Sequence, residues 1–208
     1  MSIAKKNEKE ILERAHTTFS NALNTPKIRQ LLELNGYHKS QIEEGLLISS
    51  ETESLYNQFS AVREELKRLE ELTKVRRCQL INYYNIHRES LTSFYENDGL
   101  LTRKLRLNKE MSSSHDDLLK EIESMYTTLR KNNFIKDQVR EINIDDDALE
   151  QIQRVIDDLK EKQKLLLHLK DKAQGLFLVI SDKQQLLLRK IEEIKLVAQG
   201  SLADTISS

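Results

Sequence analysis

Residues 25–40 read TPKIRQLLELNGYHKS, and residues 132–147, which lie 107 positions further on, read NNFIKDQVREINIDDD. The two stretches agree where a helix must start or stop. Thr25 with Pro26 aligns with Asn132 and Asn133, Gly36 with Asn143, and Ser40 with Asp147. Thr or Asn caps a helix start, Gly or Asn tolerates the left-handed stop, and Ser or Asp caps the next start. Matching apolar residues alone would prove little, because any two amphipathic helices can be slid into phase. Matching punctuation is the stronger sign, and it predicts one helical unit written twice.

Working outward from Thr25, the apolar positions Ile11, Leu12, Ala15, Phe19 and Ala22 fall three and four apart and predict a short helix over about residues 5–23. Their counterparts are Leu118, Leu119, Ile122, Tyr126 and Leu129. Pro26 suits the first position of a very short helix, where its missing N–H costs nothing, and Gly36 stops that helix. Ser40 then opens a long helix to about Asn97, with the inner stripe Ile42, Leu55, Phe59, Val62, Leu66, Leu69, Leu72, Leu80, Tyr84, His87, Leu91 and Phe94. From Asp147 to about Gln199 the stripe is Leu149, Ile152, Ile156, Leu159, Leu166, Leu169, Ala173, Leu176, Ile180, Leu187, Ile191 and Ile194.

At roughly 1.5 Å per residue each long element would be a rod of about 80 Å, needing a partner along its length. The expected fold class is therefore all-α, an elongated helical bundle or antiparallel coiled coil built from two pseudo-repeats of short helix, very short helix and long helix. The expected divisions are repeat 1 over residues 1–97, a linker over 98–113 with a further helical turn at Leu100 to Leu107, repeat 2 over 114–199, and a disordered tail over 200–208. Polar stretches at 73–77 and 180–184 disturb the apolar spacing but hold no Gly or Pro. Continuous helices with a local stutter are favoured there; a fold-back would give two three-helix bundles instead.

Composition agrees with this architecture. The 208 residues include one Pro, five Gly, no Trp and 32% charged side chains, with 33 Lys and Arg against 34 Asp and Glu. No global field draws such a chain to nucleic acid or anionic lipid. Cys78 is the single cysteine, so one chain can form neither an internal disulfide nor a multi-cysteine metal site. The opening MSIAKKNEKE lacks the apolar core of a secretory signal, and the longest apolar run, 176–180, falls far short of the roughly 20 residues of a membrane span. A cytoplasmic location is expected.

Catalysis is not expected, and neither is a cofactor. Glu13 and His16 form a Glu-x-x-His pair, but di-metal bundles need two such pairs plus two further glutamates. No second pair accompanies His38, His87, His115 or His168, and the copy of the first is Lys120 and Glu123. Cys78 beside Arg76 and Arg77 has no sequence-evident base to activate it. The basic residues Arg63, Lys67, Arg68, Lys74, Arg76 and Arg77, followed by Tyr83 and Tyr84, suggest nucleic-acid contact. Glu64, Glu65, Glu70 and Glu71 interleave with them in the pattern of a solvated helix face.

The leucine-rich run from Leu165 to Leu188 is wider than a two-stranded seam, which asks for further neighbours. The expected function is a non-enzymatic helical scaffold or protein–protein interaction protein. Its partner is another protein or a second copy, met through Leu165, Leu169, Leu176, Ile180 and Leu187. The alternatives are a ligand- or metal-binding bundle seeded by Glu13 and His16, and nucleic-acid contact through the basic face.

The residues Phe19, Ala22, Leu23, Pro26, Ile28, Leu32, Gly36, Tyr37, Ile42, Glu44 and Gly45 give the first half a resemblance to a group of uncharacterised bacterial tandem helical-bundle proteins. Their halves carry a short helix, a small helix ending in Gly-Tyr, and a long helix. The resemblance implies an all-helical tandem bundle and no particular activity. In the second half Asn143 and Ile144 stand where the group has Gly-Tyr.

Overall fold

The computed structural model describes the backbone of residues 3–206 and the side chains of residues 9–199 apart from position 115. Among the described residues there is helix and no strand. The elements are α1 (Ile3–Asn24), α2 (Pro26–Leu34), α3 (Lys39–Phe94), α4 (Gly99–Lys104), α5 (His115–Lys131), α6 (Asn133–Val139), a single 3-10 turn (Arg140–Ile142) and α7 (Asp146–Ile206). Both long helices pass unbroken through 73–77 and 180–184. α7 also runs beyond Gln199 to Ile206, where a disordered tail was expected; residues 207 and 208 lie outside the described residues.

The helix ends show which local signals act. Pro26 occupies the first turn of α2, and Thr25 holds the cap position in extended conformation without a side-chain bond. Asn132 does cap α6, its side-chain oxygen accepting from the Ile135 N–H at 3.3 Å. Gly36 at φ +80° and Asn143 at φ +61° both take the left-handed conformation that ends the preceding turn. The caps of the long helices fall two residues earlier than Ser40 and Asp147. Gln41 reaches back to accept from the His38 N–H at 2.7 Å, and Asp145 accepts from the Ala148 N–H at 2.8 Å. Ser40 and Asp147 lie inside the first turn instead.

α3 stops at Phe94, short of Asn97, and Asp98 is a start signal: its carboxylate accepts from the N–H groups of Leu100 and Leu101. The linker helix α4 is correspondingly shifted forward. Ser114 stands at the start of α5 without a side-chain cap bond, while Asp116 and Asp117 face the positive end of that helix.

The chain packs as two compact units, and their boundaries cut α3 after residue 65 and α7 before residue 169. The first unit joins α1, α2 and the start of α3 to the end of α7. Its core holds Ala15, Phe19, Ala22, Leu32, Tyr37, Ile42, Ile48, Leu187, Ile191 and Ile194. Two ion pairs fix the direction of the long segments here, Glu44 with Lys190 at 2.8 Å and Glu51 with Lys183 at 2.6 Å. Numbers rise along α3 as they fall along α7, so the two segments run antiparallel.

The second unit joins the rest of α3 to α4, α5, α6 and the start of α7. Its core includes Leu80, Tyr84, Leu91, Ile122, Tyr126, Leu129, Val139, Ile144, Leu149 and Ile152. Arg76 of α3 pairs with Asp158 of α7 at 3.8 Å. Leu105 and Leu107 of the linker are buried against this core.

The expected stripe of α7 is buried or half-buried at every position. On α3 two positions depart: Leu72 and Phe94 are exposed, and Thr73 and Tyr95 turn inward in their place. A threonine can sit at a buried helical position because its hydroxyl donates to its own helix; Thr73 reaches the Leu69 carbonyl at 2.7 Å and Thr52 the Ile48 carbonyl at 2.6 Å. This is the local stutter that the polar stretch after Leu72 implied.

Candidate functional site

The apolar run on α7 divides by helix geometry. Leu169, Ile180 and Leu187 are buried and Leu176 is half-buried, all four serving the chain's own packing. As interior residues Leu169, Ile180 and Leu187 offer nothing to an outside partner. Leu165 is exposed. In the first unit the outward positions of the same run are Phe177, Leu178 and Val179, exposed to 49%, 56% and 45%. Three consecutive residues sweep about 200° round a helix, so the outer side of this turn is apolar as well as its inner one. Phe177 meets Phe59 of α3 with ring centroids 6.2 Å apart, and the Arg63 guanidinium lies 5.7 Å from the centroid of the Phe59 ring.

Glu13 and His16 also belong to the first unit, where they line a groove of about 680 Å³ between α1 and α3. Lys9, Leu12 and Thr17 complete the α1 wall; Ser49, Ser50, Glu53, Tyr56 and Asn57 form the α3 wall. Helical spacing builds both walls, because residues three, four and seven apart share a face. Lys9 pairs with Glu13 at 3.4 Å. His16 Nδ1 lies 3.5 Å from the Ser20 hydroxyl. Among the described residues no three His, Cys, Asp or Glu side chains are gathered closely enough to hold a metal ion.

The second unit contains a polar cluster that the sequence did not announce. The Tyr84 hydroxyl donates to Glu121 Oε1 at 2.5 Å, and Glu121 Oε2 accepts from both the N–H and the hydroxyl of Ser112 at 3.2 Å. His87 Nδ1 and the Tyr126 hydroxyl share a hydrogen bond of 3.0 Å, and Tyr95 donates to Gln138 at 3.1 Å. Burial raises the Tyr84 phenol above its ordinary range, and the bond to Glu121 with its charge raises it further. Burial likewise raises Tyr126, with the neighbouring Tyr84 adding to it, and lowers His87, which keeps that imidazole neutral. Each of these groups is bonded to another protein group, the signature of a network that specifies a core. Arg88 of α3 ties down the same linker by donating to the carbonyls of Leu107 and Lys109.

The basic residues are spread over different tasks. Arg76 is engaged by Asp158 and donates to Gln79 at 3.2 Å. Tyr84 is buried and unable to stack on a base, whereas Tyr83 and Cys78 are exposed. No helix among the described residues is long and apolar enough to cross a membrane. No family model matches the chain, nor does any curated protein or any solved structure.

Proposed function

We propose that the chain is a non-enzymatic helical interaction protein of the cytoplasm that works by lateral contact, with a second copy of itself as the partner. The observation that carries this reading is the outward apolar turn of Phe177, Leu178 and Val179, which the first unit's own packing leaves about half exposed. Fully burying an exposed side chain of this kind contributes roughly 1.5–3 kcal/mol; these three are already about half covered, so covering the remainder contributes about half of that for each and favours association. A net charge of −1 sets no long-range repulsion between copies, and a self-complementary patch closes as a two-fold dimer. Light scattering over a range of concentrations tests it. A mass that rises toward the dimer is expected, and a concentration-independent monomer would remove the reading.

The same proposal includes a duplicated origin for the two halves, in line with the bacterial tandem bundles that residues 19–45 resemble. Support comes from buried positions 107 apart: Ala15 and Ile122, Phe19 and Tyr126, Ala22 and Leu129, Leu32 and Val139, Tyr37 and Ile144, Ile42 and Leu149. Further support comes from the ion pairs, since Glu51 with Lys183 and Asp158 with Arg76 occupy corresponding positions in reversed roles. On this reading each unit is completed by a long-helix segment from the other half, as in a dimer fused into one chain.

A further inference from the structure

We infer that the groove between α1 and α3 in the first unit binds a small organic cation, an amine carried on an apolar body. Its volume of about 680 Å³ suits a small molecule. The second observation is Ser49, 4% exposed and lining the groove. Its neighbours Ser50 and Thr52 satisfy their hydroxyls by donating to Leu47 and Ile48 on their own helix. The Ser49 hydroxyl makes no such bond among the described residues, which leaves a donor and acceptor presented to whatever fills the groove.

Charge selects the ligand class. Glu13 and Glu53 both line the groove; Lys9 answers Glu13, and Glu53 has no ion pair among the described residues. The balance among the described lining residues is negative, so an anion is disfavoured. A bare divalent ion lacks the required gathering of ligands. An ammonium group brings three donors, which Glu53, the Ser49 hydroxyl and the Asn57 side chain are equipped to accept. Leu12 and the ring of Tyr56 offer apolar surface for the body, and an aromatic face attracts a cation. Tyr56 itself packs edge-on against Phe59, with centroids 6.2 Å apart.

The test is a charge series on one skeleton: phenethylamine, 2-phenylethanol and phenylacetate, titrated into the full chain at neutral pH by calorimetry and by amide NMR. The amine is expected to saturate, with shifts confined to residues 9–17 and 49–57. The alcohol should bind at least about tenfold more weakly and the carboxylate not at all. Glu53→Gln should lose about tenfold for the amine and nothing for the alcohol, Ser49→Ala a few-fold for both, with helicity by circular dichroism unchanged. Glu89→Gln in the second unit should bind as wild type. Equal affinity for all three probes, no saturation up to about 10 mM amine, or an unaltered Glu53→Gln variant would each overturn the assignment.

Discussion

Phe19 fills the space that a side chain at position 45 would need: a Cβ built on Gly45 would stand 2.4 Å from Cε1 of the Phe19 ring and under 3 Å from two more ring atoms. In an open helix, Gly to Ala would gain about 1 kcal/mol. Here the ring is fully buried in a packed core, where making room for the Cβ is costly, so the clash wins. Gly45→Ala is expected to destabilise the protein by about 1–3 kcal/mol, read as a lower urea midpoint with unchanged slope. A raised midpoint would show that the ring can shift.

Both limbs of the pH profile should bend for identified reasons. His87 is held neutral by burial, so the unfolded chain takes up a proton below about pH 6.5 that the fold resists. Its contribution is present above that pH and is lost as pH falls toward the lowered folded value. Tyr37, pushed up to about 12 chiefly by burial and then by Glu193 and Glu44, contributes below pH 10 and loses that contribution as pH rises from 10 to about 12. His87→Phe should flatten the acid limb in denaturation series from pH 5 to 7.

The Tyr37 hydroxyl is buried with no hydrogen-bond partner among the described residues. Removing it leaves nothing orphaned, so Tyr37→Phe is expected to be neutral or stabilising by up to about 1 kcal/mol, and to reduce the alkaline bend to the part that the raised Tyr84, Tyr95 and Tyr126 phenols contribute. A loss of more than about 1 kcal/mol would mean that the hydroxyl has a partner.

Glu121 holds Tyr84 with one carboxylate oxygen and Ser112 with the other. Glu121→Ala should cost about 1–3 kcal/mol, because a buried phenol loses its acceptor. It should also speed hydrogen exchange at the Ser112 amide while the Ile122 amide stays protected. Equal acceleration at both would point to general unfolding rather than release of the linker.

The ion pairs of Glu51 with Lys183 and of Asp158 with Arg76 should both be weak, Asp158 also meeting Lys162 one turn along its own helix. Glu51→Gln and Asp158→Asn are each expected to cost no more than about 1 kcal/mol, and half-molar salt should reduce that cost. Salt-independent effects at either site would mean that the carboxylate does more than pair.

What could be read in the sequence was what depends on one helix at a time. The stripes of α1, α5 and α7 are matters of three-four spacing, and the left-handed stops at Gly36 and Asn143 are matters of single-residue backbone preference. The caps at His38 and Asp145 were missed in favour of Ser40 and Asp147 because several polar residues compete at each start, and backbone geometry chooses among them. The Tyr84, Glu121 and Ser112 cluster was invisible because it depends on the register between α3 and α5. The unbroken run 176–180 could not reveal which residues face in. Packing selects Leu176 and Ile180, four apart, and leaves the three between them outside.

Those three residues bear the proposed function, and one comparison tests them: sedimentation of wild type, Leu178→Glu and Leu34→Glu from about 1 to about 100 µM. Leu34, at the end of α2, is exposed as well, so it controls for the mere loss of a surface leucine. The account predicts a wild type and a Leu34→Glu variant that self-associate, and a Leu178→Glu variant that stays monomeric with full helicity. Three indistinguishable profiles would contradict it.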